Sequence, residues 1–207
     1  MRTLFIDTSA SDVSISVISN GNVVASKTES IPNAHSIYTV PFVDEVIKNS
    51  GFGVSDIDTI LVVTGPGSFT GVRIGVTIAK TYAYLRNIKI VGVSSLKMRA
   101  LSVDHDYCLS LVNARHNNYY IGLYDKDNNE VIEEQFNSID KVIEIINKYN
   151  PVIVSNEDIE LDDNVVKKQE LDILKIVNYY QEQEGLNPHL VVPNYLKLPQ
   201  ALEGRND

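Results

Sequence analysis

The chain has 207 residues, 18 basic and 27 acidic side chains, a formal net charge of −9, and one cysteine. That length holds one large domain or two small ones with a core that needs no structural metal, and Cys108 alone excludes an internal disulfide. The negative balance excludes a chain that coats nucleic acid or an anionic membrane over its whole surface. No apolar run approaches the roughly 20 residues of a membrane span, so a cytoplasmic protein with no membrane contact is expected.

In chain order, Thr3 to Asp7 is a short apolar run that reads as a strand. Val13, Ile15 and Val17 alternate with Ser14 and Ser16, Asn20-Gly21 is a hairpin signal, and Val23 to Ala25 extends beyond it. Ile37, Val40, Val43, Val46 and Ile47 recur at helical steps from Ser36 to Asn49, with Pro41 either kinking the helix or sitting in its first turn. Thr59 to Val63 is a buried central strand ending in the turn Gly65 to Gly71. Val72 to Arg86 reads as a helix, Lys89 to Val93 as a strand, and a short helix starts near Ser95. A second unit follows, with strands at Tyr107 to Val112, Tyr119 to Tyr124 and Val131 to Phe136. Ser138 then caps a helix, Pro151 to Val154 forms a strand, and Leu171 to Glu184 a helix. Three strands, helix, strand, helix thus occurs twice, dividing the chain into 1–103 and 104–207.

A buried strand feeding a glycine turn and then a helix presents backbone N–H groups that can hold an anion. Gly65, Gly67 and Gly71 with Ser68 and Thr70 could serve that end, or form a tight turn with no ligand. Beyond the turn, Gly71, Gly75, Ala79 and Ala83 recur every four residues and make one ridge nearly free of side chains. Such a ridge packs either on the chain's own sheet or on a partner helix.

Three strings carry a family resemblance: Ile6-Asp7-Thr8-Ser9, His35-Ser36 followed by Pro41, and above all the run from Gly65 to Gly75. With weaker echoes at Val93-Ser94-Ser95-Leu96, Asn113-Ala114-Arg115 and Pro193 to Lys197, the sequence resembles the bacterial TsaB (YeaZ) family, non-catalytic relatives of TsaD. It departs from that family's pattern at Asn113, Thr81 and Lys197, where Asp, Gly and Arg are usual. The resemblance implies an α/β fold of two lobes, actin-like and sugar-kinase-like, with mixed sheets flanked by helices. It also implies a supporting role in forming threonylcarbamoyladenosine next to the tRNA anticodon. The partners implied are TsaD in a heterodimer, TsaE through that complex, and a second copy of the chain in a homodimer when TsaD is absent.

TsaD-like proteins carry a His-x-x-x-His metal motif, and alignment by the preceding strand puts Ser95 and Arg99 at those positions. Arginine offers no lone pair and serine is a poor ligand. His35, His105, His116 and His189 are scattered, so no metal and no catalytic residue are expected. His35 sits before a helix capped by Ser36, or packs at an interface. Asp7 is either a remnant of the nucleotide site of kinase-like relatives or a turn residue. Candidate nucleotide or anion contacts are therefore Asp7, Thr8, Gly65, Gly67, Ser68, Thr70 and Gly71, with ATP or ADP as an optional ligand. The expected partner interface is Gly71, Gly75, Ala79, Ala83, Val43 and Ile47. The alternative is an ATP-dependent small-molecule kinase or ATPase of the same fold.

The charge is unevenly spread. Residues 1–103 carry nine basic and seven acidic side chains, whereas residues 104–207 carry nine and twenty. Between Thr59 and Val103 there is no acid, yet Arg73, Lys80, Arg86, Lys89, Lys97 and Arg99 occur. A local basic surface for an acidic partner, a nucleotide phosphate or a tRNA contact is the expectation.

Overall fold

A computed structural model describes residues 1–161 and 164–196. Strands β1 (Arg2–Asp7), β2 (Asp12–Ser19), β3 (Asn22–Ser30), β4 (Thr59–Gly65) and β5 (Lys89–Ser94) form one sheet in the order β3-β2-β1-β4-β5. The first three strands are antiparallel neighbours, and β4 and β5 run parallel to β1. Strands β6 (Tyr107–Asn113), β7 (Asn118–Asp125), β8 (Glu130–Ser138) and β9 (Val152–Ser155) repeat this arrangement as β8-β7-β6-β9, with β9 parallel to β6. The twofold element order is therefore a twofold sheet topology, the α/β two-lobed arrangement with mixed sheets flanked by helices.

The local reasons are those the sequence carries. Asn20 and Gly21 both have positive φ, as a two-residue hairpin matched to strand twist requires. Helix α1 (His35–Asn49) holds Pro41 in its second turn, on the exposed side. Helix α2 (Phe69–Arg86) is capped by the Ser68 hydroxyl, which accepts from the Gly71 N–H, and ends at Asn87 in the left-handed conformation. Helix α4 (Ile139–Tyr149) ends the same way at Asn150.

Both faces of the first sheet are buried. Leu4, Ile6, Ile60 and Val62 pack against α1 and α2, while Phe5, Leu61 and Val63 face the opposite way. On that second face lie helix α3 (Ser95–Ala100) and helix α5 (Ile173–Tyr180). All six residues of α3 are buried, since Met98 joins the first sheet while Leu96 and Ala100 join the second. The outer face of the second sheet is covered by α4 and the hairpin β10 (Ile159–Leu161) and β11 (Asn164–Val166).

Several features differ from the sequence reading. Helix α2 starts at Phe69 and not at Val72, because the Ser68 hydroxyl caps it, and Ser138 stands at the N-cap of α4 but its side chain makes no capping bond. The hairpin was not expected, because three-residue strands are too short to show a period. The last helix is shorter than 171–184, because the Asp172 carboxylate accepts the Lys175 N–H and starts it there. Residues beyond it return to the first lobe, with Leu186 N–H donating to the Ile90 carbonyl and Asn194 N–H to the Thr64 carbonyl. The two sheets fall on either side of 103/104, whereas α5 packs on the first sheet and residues 186–196 touch both, with Leu196 against the cluster that holds Cys108, Val112 and Tyr124.

Candidate functional site

The strand β1 ends beside the glycine turn, and the turn is built around it. Ser68 N–H donates to the Ser9 carbonyl at 2.7 Å, and the Thr8 hydroxyl donates to the Gly71 carbonyl at 2.7 Å. A Cβ on Gly67 would lie 2.3 Å from the Ser9 carbonyl oxygen, and one on Gly71 2.0 Å from that of Thr8. Gly65 has φ of +104°. These positions need glycine for close backbone approach and for a left-handed φ, before any ligand is considered.

The small-residue ridge continues the same packing. A Cβ on Gly75 would meet the Thr8 hydroxyl at 2.3 Å, and Ala79 and Ala83 are buried in the core beneath α1 and α2. Val43 and Ile47 are buried there too. The expected interface set of Gly71, Gly75, Ala79, Ala83, Val43 and Ile47 is therefore internal. Its small side chains let α2 sit directly on the Thr8–Ser9 backbone and leave nothing for a partner to touch.

What α1 and α2 present outward is a different set. On α2 the row Thr70, Ile74, Thr77, Ile78, Thr81 and Leu85 carries no charge, with Leu85 70% exposed. On α1, Ile37 is 66% exposed and Val40 47%. In this uncharged row Ile74 and Ile78 are half-buried, and the exposed apolar side chains are Leu85 on α2 with Ile37 and Val40 on α1.

Asp7 and Thr8 part company at the end of β1. Thr8 points to α2, whereas Asp7 lies on the α3 side, where its carboxylate accepts the Ser9 N–H at 2.8 Å. There it lines the same cavity as Arg99, a groove of about 920 Å³ between the inner face of β2 and β3 and residues 168–174. Arg99 is 3% exposed, its guanidinium donates to the Ser95 carbonyl, and its Nε has no partner among the described residues. Burial pushes Arg99 down from its ordinary value and the nearby Asp7 carboxylate opposes this. Ser95 is fully buried with its hydroxyl committed to the Pro66 carbonyl. These two positions do not fit a metal: a neutral serine hydroxyl that donates its proton to Pro66 is a poor ligand, and a guanidinium, with no lone pair to give, stands where a cation would.

A second cleft of about 590 Å³ opens between the lobes, lined by Ser9 to Ser11, Gly67, Ser68, Thr70 and Gly71 on one side and Asn113 to Arg115 on the other. Its lining includes one carboxylate, Glu157, and does not include Asp7. The nucleotide candidates are accordingly split, with Asp7 turned away from the glycine turn. His35 is the first residue of α1, and its Nε2 donates to the Ala10 carbonyl at 2.9 Å. Ser36 makes no cap, because the helix starts after Ala34.

The histidines remain apart, and among the described residues no group of three His, Cys, Asp or Glu is placed to hold a metal. Of the six basic residues between Thr59 and Val103, Lys97 and Arg99 are buried, and Lys80 and Lys89 are half-buried and bond the His189 and Gln181 carbonyls, so the exposed ones are Arg73 and Arg86. Asn113 accepts the Arg115 N–H, Thr81 is exposed on α2, and Lys197 lies outside the described residues.

Two clusters escaped the sequence reading. Glu134 accepts hydrogen bonds from the hydroxyls of Ser94 and Tyr124 and contacts Asn194, which ties the two sheets to the last segment. Arg73 stacks on Phe69 with its guanidinium carbon 3.8 Å from the ring centre, and its Nε donates to the Tyr195 hydroxyl at 2.6 Å.

Comparison with known proteins accords with this geometry. The family model for tRNA N6-adenosine threonylcarbamoyltransferase matches residues 21–201. The Bacillus subtilis tRNA threonylcarbamoyladenosine biosynthesis protein TsaB is 30% identical, over 97% of this chain and 96% of that protein. The Escherichia coli TsaB is 33% identical over 63% of this chain and 58% of its own length. The Bacillus subtilis transferase itself is 35% identical over 45% of this chain and 32% of its own length. The crystal structure of YeaZ from Pseudomonas aeruginosa superposes with a TM-score of 0.79 at 21% identity, over 94% of this chain and 99% of that one. The chain belongs to the TsaB family, whose curated members are named for tRNA threonylcarbamoyladenosine biosynthesis.

Proposed function

We propose that this chain is a non-catalytic subunit that binds the tRNA N6-adenosine threonylcarbamoyltransferase and keeps it competent for threonylcarbamoyladenosine formation. The observation that carries the reading is the uncharged outward row of α2, from Thr70 through Ile74, Ile78 and Thr81 to Leu85, beside Ile37 and Val40 of α1. Two helices that share a core beneath them offer a firm platform, and a relative of the same fold carries corresponding helices that could lie against it across a pseudo-twofold axis. The same face would pair two copies of this chain when the transferase is absent. TsaE, the associated ATPase, would join through that complex rather than through this chain alone.

The chemistry of the α3 positions supports a supporting role. Arg99 and Ser95 are poor metal ligands, and the groove that Asp7 lines holds a buried guanidinium beside it. Transfer activity of the transferase, assayed on unmodified tRNA with and without this chain, tests the role. Activity that requires the chain supports it, and activity of the chain alone refutes the non-catalytic reading.

A second reading, an ATP-dependent kinase or ATPase, draws on the interlobe cleft and the hydroxyls of Ser9, Ser68 and Thr70 lining it. Calorimetry of the isolated chain with ATP and magnesium separates the two. Tight binding with turnover favours the enzyme.

A further inference from the structure

On the side of α2 away from α1, a pocket of about 310 Å³ lies between the glycine turn, the β6–β7 turn and residues 193–196. Three rings line it: Phe69, Tyr120 and Tyr195. Phe69 is 48% exposed and Tyr195 42%, so these are surface rings and not core. Arg73 holds them in place, lying over Phe69 and hydrogen-bonded to Tyr195. Arg115 and His116 line the opposite wall from a turn in which Arg115, His116 and Asn117 all have positive φ. That backbone is rarely adopted by such residues, and here Asn118 fixes it by donating to the carbonyls of Arg115 and His116.

The pocket lining contains no carboxylate. Among the described residues, neither Arg73 nor Arg115 has a carboxylate partner within ion-pair distance. Glu134, which reaches the wall residue Asn194, is engaged with Ser94 and Tyr124, and Glu157 lines the neighbouring cleft that shares Arg115 and Tyr120. In a chain of net charge −9, a pocket lined by three rings and Arg115, with Arg73 behind Phe69 and Tyr195 and no ion pair at either arginine among the described residues, is a local exception.

We propose that this pocket takes an unpaired base of single-stranded RNA, stacked against Phe69 or Tyr195, with the flanking phosphates at Arg73 and Arg115. Rings supply sequence-tolerant stacking and arginines supply phosphate contacts, which is the chemistry of single-strand binding. A protein partner would want carboxylates or apolar side chains here, and nothing in the pocket selects between them, whereas rings and arginines together suit base and phosphate at once. The inference rests on and deepens the proposed role in tRNA modification, and its residues Phe69, Arg73 and Tyr195 adjoin the partner row of α2 without belonging to it. The two can therefore fail separately.

The test uses the full chain without the transferase. Anisotropy of a fluorescein-labelled single-stranded oligoribonucleotide of about ten residues is measured at low salt and again at rising salt. Binding should weaken with salt at a log–log slope of about −1 to −2, as two phosphate contacts would give. Phe69→Ala, Tyr195→Ala and Arg73→Ala should each weaken binding by roughly 5-fold or more, Phe69→Tyr should retain it, and Lys141→Ala on the far side should leave it unchanged. Melting temperature and circular dichroism of each variant verify the fold. Absence of RNA binding by the wild type overturns the proposal, as does binding that the three alanine variants leave intact. Competition by AMP at concentrations equal to the oligonucleotide also overturns it, since that marks a mononucleotide site. Capture of the transferase by Arg73→Ala, measured without RNA, reports on the partner face independently.

Discussion

Thr8 and Gly71 are joined twice over: the Thr8 hydroxyl donates to the Gly71 carbonyl at 2.7 Å, and the Thr8 carbonyl oxygen sits where a Cβ of residue 71 would be, 2.0 Å away. The start of α2 is thereby pressed onto the end of β1 with no side chain between them. Every candidate contact of the glycine turn inherits its position from this approach.

Gly71→Ala and Gly75→Ala should each destabilise the fold by about 2 kcal/mol or more, a fall in melting temperature of roughly 4–8 °C. The obstructing atoms are a backbone carbonyl and a buried hydroxyl, neither of which can swing away. Thermal unfolding followed by circular dichroism checks this. An unchanged midpoint would mean that α2 stands further from β1. For the same reason bulky substitutions along this ridge report on folding, not on partner binding.

Cys108 should be inert in the native protein. It is fully buried in β6, and burial pushes its thiol up to about 12, so the reactive thiolate is scarce at neutral pH. Labelling with a thiol reagent such as dithionitrobenzoate should reach one equivalent in denaturant and be slower by about 100-fold or more without it. Rapid native labelling would contradict the packing around β6.

Glu134 should make stability fall as pH rises. Burial pushes its carboxyl above the ordinary glutamate range, against the hydrogen bonds from Ser94 and Tyr124. The folded state then holds a proton that the unfolded chain has released, so unfolding free energy declines from the ordinary glutamate value up to the raised folded value. Glu134→Gln keeps an acceptor for both hydroxyls and removes the ionisation. The variant should therefore gain stability relative to wild type between about pH 4 and pH 7, read from urea midpoints at both. A gap that narrows with rising pH would contradict this.

Purified chain, dialysed against a chelator and analysed for iron and zinc, should hold neither in stoichiometric amount. The Ser95 hydroxyl is a poor neutral ligand whose proton points to the Pro66 carbonyl, and Arg99 has no lone pair to give. Metal retained at one equivalent would reverse the assignment of the α3 positions.

Much of the fold was legible in the sequence because its signals are local. Asn20-Gly21, the apolar run of β4 and the helical spacing of α1 each act within a few residues. The site was less legible, for two physical reasons. The spacing of Gly71, Gly75, Ala79 and Ala83 encodes a close approach but not its target, and the target proved to be Thr8. On β1, strand parity sends Thr8 to α2 and Asp7 to α3. Because both faces of that strand are apolar, alternation could not reveal which side is which. Arg73 and Tyr195 stand 122 positions apart, beyond any pattern of local spacing.

The central claim is that the outward face of α1 and α2 binds the transferase. The most direct measurement is the mass of the complex formed by this chain and the transferase, by light scattering, for wild type, Thr81→Arg and Leu85→Glu. Both substitutions lie on exposed positions and should leave the melting temperature unchanged. The account predicts a one-to-one complex or a multiple of it for wild type, with affinity reduced by about 10-fold or more in both variants. Full-strength complexes from both variants, or none from the wild type, would contradict it.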